Sequence, residues 1–180
     1  MSTHERTPHS ARLNVIDREL AWHEQEAHRR SALEFLYTPP AFEPVTRACL
    51  GFLDVQPGQL VLDLGCGEGK ETLALGLTGA RVVATDLSVV QMGLARRRLA
   101  PRLPPHVVMF VQANAEALPF PNNYFDRIIM GFGLRNVTNK QSALESMYRV
   151  LKPGGFLLVL EFSKTNVPGF KTRYIDSKAD

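Results

Sequence analysis

"VLDLGCGEGKET", Val61 to Thr72, is the stretch that decides the fold. A short apolar run gives way to Gly65, Gly67 and Gly69, spaced Gly-x-Gly-x-Gly, and helix formers follow. Glycine has no Cβ, so it permits positive φ and lets a ligand approach the backbone closely. The spacing is not that of the phosphate loop, which ends in Gly-Lys-Ser/Thr, nor the dinucleotide pattern Gly-x-Gly-x-x-Gly. Here Lys70 is followed by Glu71, so no magnesium-binding hydroxyl comes next. Two readings stay open: a ligand cradle, or a tight turn packed against a neighbouring helix.

Outward from this turn, strands and helices alternate. "LVLDL" (60–64) predicts a buried strand, 70–78 a helix ended by Gly79, and "RVVATD" (81–86) a second strand. Ser88 is placed to cap the next helix, "VVQMGLARRRLA", which must stop before Pro101. "HVVMFVQAN" and "YFDRIIMGFG" predict strands three and four. "NKQSALESMYRVL" predicts a helix with Leu144, Met147, Tyr148 and Leu151 on one side; "KPGG" ends it and "FLLVLEF" is strand five. The apolar runs lack two-fold alternation, as buried parallel strands do. This is the pattern of an α/β, doubly wound, mostly parallel sheet with helices on both faces. Right-handed crossovers put every strand's carboxyl end at one edge, and a ligand belongs there, where the strand order reverses.

Before the core, residues 11–36 read as one or two helices, and Pro39 and Pro40 break the run. "FEPVTRACLGFLDV" predicts a short helix with Val45, Ala48, Cys49, Phe52 and Leu53 on one face. The expected organisation is a helical segment over 1–56 packed on a core over 57–180.

No apolar run approaches the ~18 residues that cross a bilayer, and the N-terminus lacks an apolar signal region. Two cysteines, Cys49 and Cys66, make no disulfide framework, so a cytoplasmic protein is expected. The net charge of +3 is mild. Its one basic cluster, Arg96, Arg97, Arg98 and Arg102, suits a solvated helix end and the C-terminal dipole, with anionic lipid headgroups as the sharper alternative. No aromatic residues interleave with these cations, which argues against nucleic acid. The histidines of "HEQEAH" (His23, His28) are five apart rather than four, so no metal is expected. Cys66 reads as a small residue that fits a tight turn.

Asp86 ends strand two, where a carboxylate can accept both hydroxyls of a ribose; the alternative is an Asx-type turn in "TDLS". Asn114 follows strand three, where a side chain can read an adenine edge and the Ala115 N–H can add a second hydrogen bond. Arg135 follows strand four and reads equally as a surface salt bridge or as a cation facing a substrate.

This order of features resembles the class I S-adenosylmethionine-dependent methyltransferases, with their Rossmann-like core. "ANAEALPFPNNYFD", "GFGLRNVTNKQSALESMYRVLKPGG" and "LVLEFSK" are similar to the ubiquinone/menaquinone biosynthesis C-methyltransferase family, most closely over residues 107–164. The resemblance implies S-adenosylmethionine as cofactor. Gly65, Gly67 and Gly69 would pass under its methionine part and Asp63 would lie near its ammonium group. Asp86 would take the ribose hydroxyls, with Leu87 beside it, and Asn114 and Ala115 the adenine. Thr72 and Gly131 would make further cofactor contacts. Arg135 and Asn136 would face a quinol, and such a lipid-tailed aromatic substrate would bring the protein to a membrane surface as a peripheral contact.

Two departures from that family stand out. Its glycine turn usually ends Gly-Asp, a carboxylate able to relay the phenolic proton, whereas this chain has Gly69-Lys70, leaving Glu68 and His106 as alternatives. After strand five only "KTNVPGFKTRYIDSKAD" remains, so the sheet is expected to end there with a bare edge. A fragment, a truncated enzyme or a homodimer would account for that edge. The competing functions are a methyltransferase acting on oxygen or nitrogen of another small molecule, a non-catalytic cofactor-binding or assembly subunit, and a nicotinamide dehydrogenase. The glycine spacing and Asn114 disfavour the last.

Overall fold

β1 (Leu60–Leu64), β2 (Arg81–Asp86), β3 (Val108–Gln112), β4 (Phe125–Gly131) and β5 (Leu151–Leu160) form a parallel sheet in a computed structural model. The model describes residues 43–161 and 175–177. The helices expected over 11–36, the His23–His28 stretch and the side chain of Val45 lie outside the described residues. With β6 spanning Ile175–Ser177, the strand order is β3-β2-β1-β4-β5-β6, so the winding direction reverses between β1 and β4.

The strands β1 to β4 fall within the expected segments, and β5 overlaps its own from Phe156 to Leu160. Beyond them the expectation of a bare edge needs correction: β6 (Ile175–Ser177) pairs antiparallel with Phe156–Leu158 of β5. An edge strand presents unpaired N–H and C=O groups, and even a three-residue strand satisfies part of that row. The strand β5 also begins earlier than Phe156. Leu151 already pairs with Phe125, and the ladder then slips before resuming at Arg127 and Phe156.

Among the described residues, four α-helices pack on the sheet. α1 (Glu43–Leu53), α2 (Lys70–Leu77) and α3 (Val89–Leu99) cover one face, where Cys49, Leu53 and Leu75 meet Val61, Val82, Ile129 and Leu158. α4 (Lys140–Val150) covers the other with Ala143, Met147 and Val150 against Leu62, Val83, Ile128 and Leu157. Asn139 caps α4 by accepting the Ser142 N–H at 3.0 Å, and Ser88 caps α3 by accepting from Gln91 at 3.2 Å. The carboxyl end of α1 is held by Arg127 of β4, whose Nε donates to the Leu53 carbonyl at 2.8 Å.

The buried faces of two helices differ from expectation. On α4, Leu144 and Tyr148 are exposed while Ala143, Ser146, Met147 and Val150 are buried. On α1, Ala48 and Phe52 face solvent while Thr46, Cys49 and Leu53 are buried. In both helices a small or polar residue is buried while a large apolar neighbour turns outward. Among the five parallel strands β3 is the least covered: none of its five residues is buried, and Met109 is 51% exposed.

Urea unfolding checks the revised face of α4. Met147→Ala, at a fully buried site, is expected to cost about 2–5 kcal/mol. Leu144→Ala, at a site 37% exposed, is expected to cost about 0.5 kcal/mol or less.

Candidate functional site

Gly65, Gly67 and Gly69 all have positive φ, at 76°, 51° and 79°. They serve two different purposes. A Cβ on Gly69 would sit 3.0 Å from Ala95 Cβ and 3.1 Å from Leu99 Cδ1, so this glycine lets α2 pack onto α3. A Cβ on Gly65 or Gly67 would meet nothing within 4 Å. The same is true of Gly131, at the end of β4 across the point where the strand order reverses. Its last glycine therefore serves the neighbouring helix, and among the described residues its first two border open space.

The turn is fixed from β2. The Gly65 and Cys66 N–H groups both donate to the Thr85 carbonyl at 2.8 Å. The Gly67 N–H donates to Asp86 Oδ2 at 2.9 Å, and the Ser88 N–H donates to Asp86 Oδ1 at 2.9 Å. Asp86 thus makes the Asx-type turn and anchors the glycine turn at once. Each carboxylate oxygen retains a second lone pair for a hydroxyl. Leu87 follows, its carbonyl accepting from Gln112 at 2.8 Å.

Beneath the turn, Asp63 is 2% exposed and accepts a 2.5 Å hydrogen bond from the fully buried Thr72 hydroxyl. Burial, and then the charge of Glu71, push its carboxyl up to about 7, against the pull of the Thr72 hydrogen bond. A buried carboxylate poised near neutrality gains most from a nearby cation. Cys66 is buried, and burial raises its thiol well above the ordinary range, so it is inert as a nucleophile.

Beyond β3, Ala115–Ala117 forms a 3-10 turn capped by Asn114, whose Oδ1 accepts the Glu116 N–H at 2.9 Å. Ala115 is buried. This turn, the glycine turn and Asp86 all lie at the carboxyl edge of the sheet, as expected.

On the β4 side, Phe132 has φ 57°, and its N–H donates to the Leu160 carbonyl at 2.7 Å. A bulky residue in the left-handed region stores about 1–3 kcal/mol of strain and is found where a site demands it. A 3-10 turn over Leu134–Asn136 follows. Arg135 reaches back to β5: its Nη1 and backbone N–H bond the two oxygens of Glu161 at 2.7 and 2.9 Å. Its guanidinium also lies 5.9 Å from the Phe132 ring centre, and half of its side chain remains exposed. The salt bridge is therefore present, in the loop at the carboxyl end of β4.

Two alternatives offered for the missing carboxylate need correction. His106 precedes β3 and shares a groove of about 450 Å³ with Leu60, Arg81 and Tyr124, all at the amino edge of the sheet. A five-residue strand separates the two edges by about 15 Å, so His106 cannot reach the crevice. Glu68 is turned toward α3, where it pairs with Arg98 at 3.6 Å. Phe132, Glu161 and Glu116 were not singled out from the sequence. Glu161 and Glu116 stood inside the quoted motifs "LVLEFSK" and "ANAEALPFPNNYFD", but nothing in their spacing marks them.

The raised Asp63 carboxyl has a stability consequence. The folded protein holds this proton more tightly than the unfolded chain, whose aspartates titrate near 4. Stability from this group is complete below about pH 4 and is lost as pH rises to about 7. Urea midpoints measured from pH 4 to 8 are expected to carry a falling component that Asp63→Asn removes, leaving the variant the more stable at pH 8.

The ubiE/COQ5 methyltransferase family model matches residues 46–177. A relative from Coxiella burnetii, "Ubiquinone/menaquinone biosynthesis C-methyltransferase UbiE", is 47% identical over 123 residues, covering 67% of this chain and 49% of that protein. Among solved structures, the cyclase SpnF is 30% identical with a TM-score of 0.63, over 66% of this chain and 44% of its own. An S-adenosylmethionine-dependent methyltransferase from Mesorhizobium loti is 27% identical with a TM-score of 0.57, over 66% of this chain and 52% of its own. This chain spans about half the length of the curated relatives it matches. On the family match, together with the doubly wound sheet and its glycine turn, the chain belongs to the ubiE/COQ5 methyltransferase family.

Proposed function

We propose that this chain carries the S-adenosylmethionine site of a C-methyltransferase whose acceptor is a polyprenyl quinol. The observation that carries the reading is the crevice itself. Gly65, Gly67 and Gly131 leave open space at the strand-order reversal, with a buried carboxylate beneath and a second carboxylate at its flank. The relative from Coxiella burnetii, named as a quinone-biosynthesis C-methyltransferase, supports the acceptor class. The likeness to the cyclase SpnF means that the fold alone does not choose the reaction.

When bound, S-adenosylmethionine supplies a methyl group on a sulfonium, already a good leaving group. The residues divide the remaining work. Asp63, with Thr72 donating to it, faces the ammonium end. Asp86 accepts the ribose hydroxyls on lone pairs not used by Gly67 and Ser88, with Leu87 beside the sugar. Asn114 has its carbonyl oxygen engaged by Glu116, so its NH2 end reads the adenine, with the Ala115 N–H as partner. Gly131 closes the crevice from β4. Holding acceptor and donor in line in this way can supply about 7–11 kcal/mol of the barrier.

A hydroquinone carbon becomes nucleophilic when the neighbouring phenol loses its proton. Arg135 favours the phenolate because its guanidinium is always charged, and Asn136 orients the ring from the same turn. Lys70 opens α2, where a cation opposes the helix dipole and, while protonated, cannot accept the phenolic proton. A lipid-tailed acceptor draws the protein to a membrane surface, and the exposed Arg97 and Arg102 at the end of α3 suit anionic headgroups. Among the described residues no helix is long and apolar enough to cross a membrane.

Calorimetry tests the cofactor reading. S-adenosylmethionine is expected to bind, Asp86→Ala to weaken it by about tenfold or more, and NAD to bind less well; tighter NAD binding sinks the proposal. Affinity should rise between pH 6 and 8 as Asp63 ionises, and Asp63→Asn should abolish that rise. Mass spectrometry after incubation with labelled cofactor and a demethyl quinol tests turnover. Lys70→Asp is expected to raise the rate and to stabilise α2 by about 0.3–1 kcal/mol. An unchanged rate counts against the proton-relay account of this position.

A further inference from the structure

Glu116 stands between two loops to which the proposed function gives different work. Its backbone N–H donates to Asn114 Oδ1 at 2.9 Å, fixing the side chain that would read adenine. Its carboxylate Oε1 accepts the Asn139 N–H at 2.9 Å, in the connection between β4 and α4 that also carries Arg135 and Asn136. Asn139 is itself the N-cap of α4: its side chain accepts from Ser142 at 3.0 Å and its carbonyl from Ala143 at 3.1 Å. A line of hydrogen bonds therefore runs from Asn114 through Glu116 and Asn139 into the first turn of α4.

We propose that Glu116 is a positioning residue that ties the cofactor loop to the acceptor loop, so that filling the crevice also orders residues 134–143. The inference rests on the proposed function for the assignment of the two loops. Two further observations support it. The first turn of α4 contains no acidic residue and opens with Lys140, so the Glu116 carboxylate supplies from outside the negative charge that a helix N-terminus favours. The remainder of the loop after β3 is fastened to α4 separately. The Leu118 N–H donates to Ser146 Oγ at 2.9 Å, and Arg149 donates to the Leu118 and Phe120 carbonyls at 2.6 and 2.7 Å. That fastening keeps the loop folded without Glu116. Removing its carboxylate cuts the connection to residue 139 while the loop stays on α4.

Hydrogen exchange of the full chain with and without S-adenosylhomocysteine tests the tether, with calorimetry on the same samples to establish binding. In the wild type the ligand is expected to slow exchange at residues 134–143 by about fivefold or more, in addition to the crevice loops. In Glu116→Ala that spread should disappear and the ligand should bind about fivefold more weakly, since coupling is reciprocal. Glu116→Gln keeps a carbonyl oxygen for Asn139 and should restore both. Met147→Ala, a core change on the same helix, should lower the melting temperature yet preserve the spread, separating the tether from simple destabilisation. Protection confined to the crevice loops in the wild type, or an unaltered spread in Glu116→Ala, overturns the tether while leaving the cofactor reading intact. A wild-type chain that takes up no S-adenosylhomocysteine overturns the cofactor reading and the tether together, and calorimetry tells that case apart.

Discussion

The carboxylate of Asp86 is the constraint from which the rest of the site follows. One oxygen holds the Gly67 N–H and the other the Ser88 N–H. The first bond fixes the turn after β1, and the second sets up the residue that caps α3. A single side chain at the end of β2 therefore locks two connections that the sequence separates by 19 positions. A clasp for sugar hydroxyls and a local turn looked like rival roles for this residue. In the folded chain the turn orients the carboxylate, so the structural role is compatible with the binding role proposed for it.

The charges around the crevice are unevenly distributed. On the β1–β2 side lie Asp63, Glu71 and Asp86, and their mutual repulsion together with burial raises the Asp63 carboxyl. On the β4–β5 side Arg135 sits on Glu161. A ligand with a cationic end toward β1 and an anionic acceptor toward β4 would match both halves.

Much of this was legible from residues alone. β1 and β2 occur where the apolar runs stood, and Ser88 caps the helix it precedes. The glycine turn, Asp86 and Asn114 fall on one edge because parallel strands leave no other arrangement. Helix faces were harder. Leu144 and Tyr148 carried the apolar signal on α4, yet Ala143 packs in the core and Ser146 is buried where it accepts the Leu118 N–H, a polar role that hydrophobic periodicity does not register. The role of Glu116 was invisible for a different reason: its partner is a backbone N–H 23 residues away, and backbone groups leave no trace in a sequence. The short β6 was missed because three residues of edge strand carry too little pattern to register.

The thin cover over β3 has a consequence for how the protein breathes. This strand at one margin of the sheet buries no residue fully and, among the described residues, pairs with β2 alone, so it is well placed to fray while the centre of the sheet holds. The Asn114 turn hangs from its free end. A nucleoside gripping that turn and Asp86 together would pin the frayed margin to its neighbour, so the weakest rib of the scaffold would be stiffened by its own cargo.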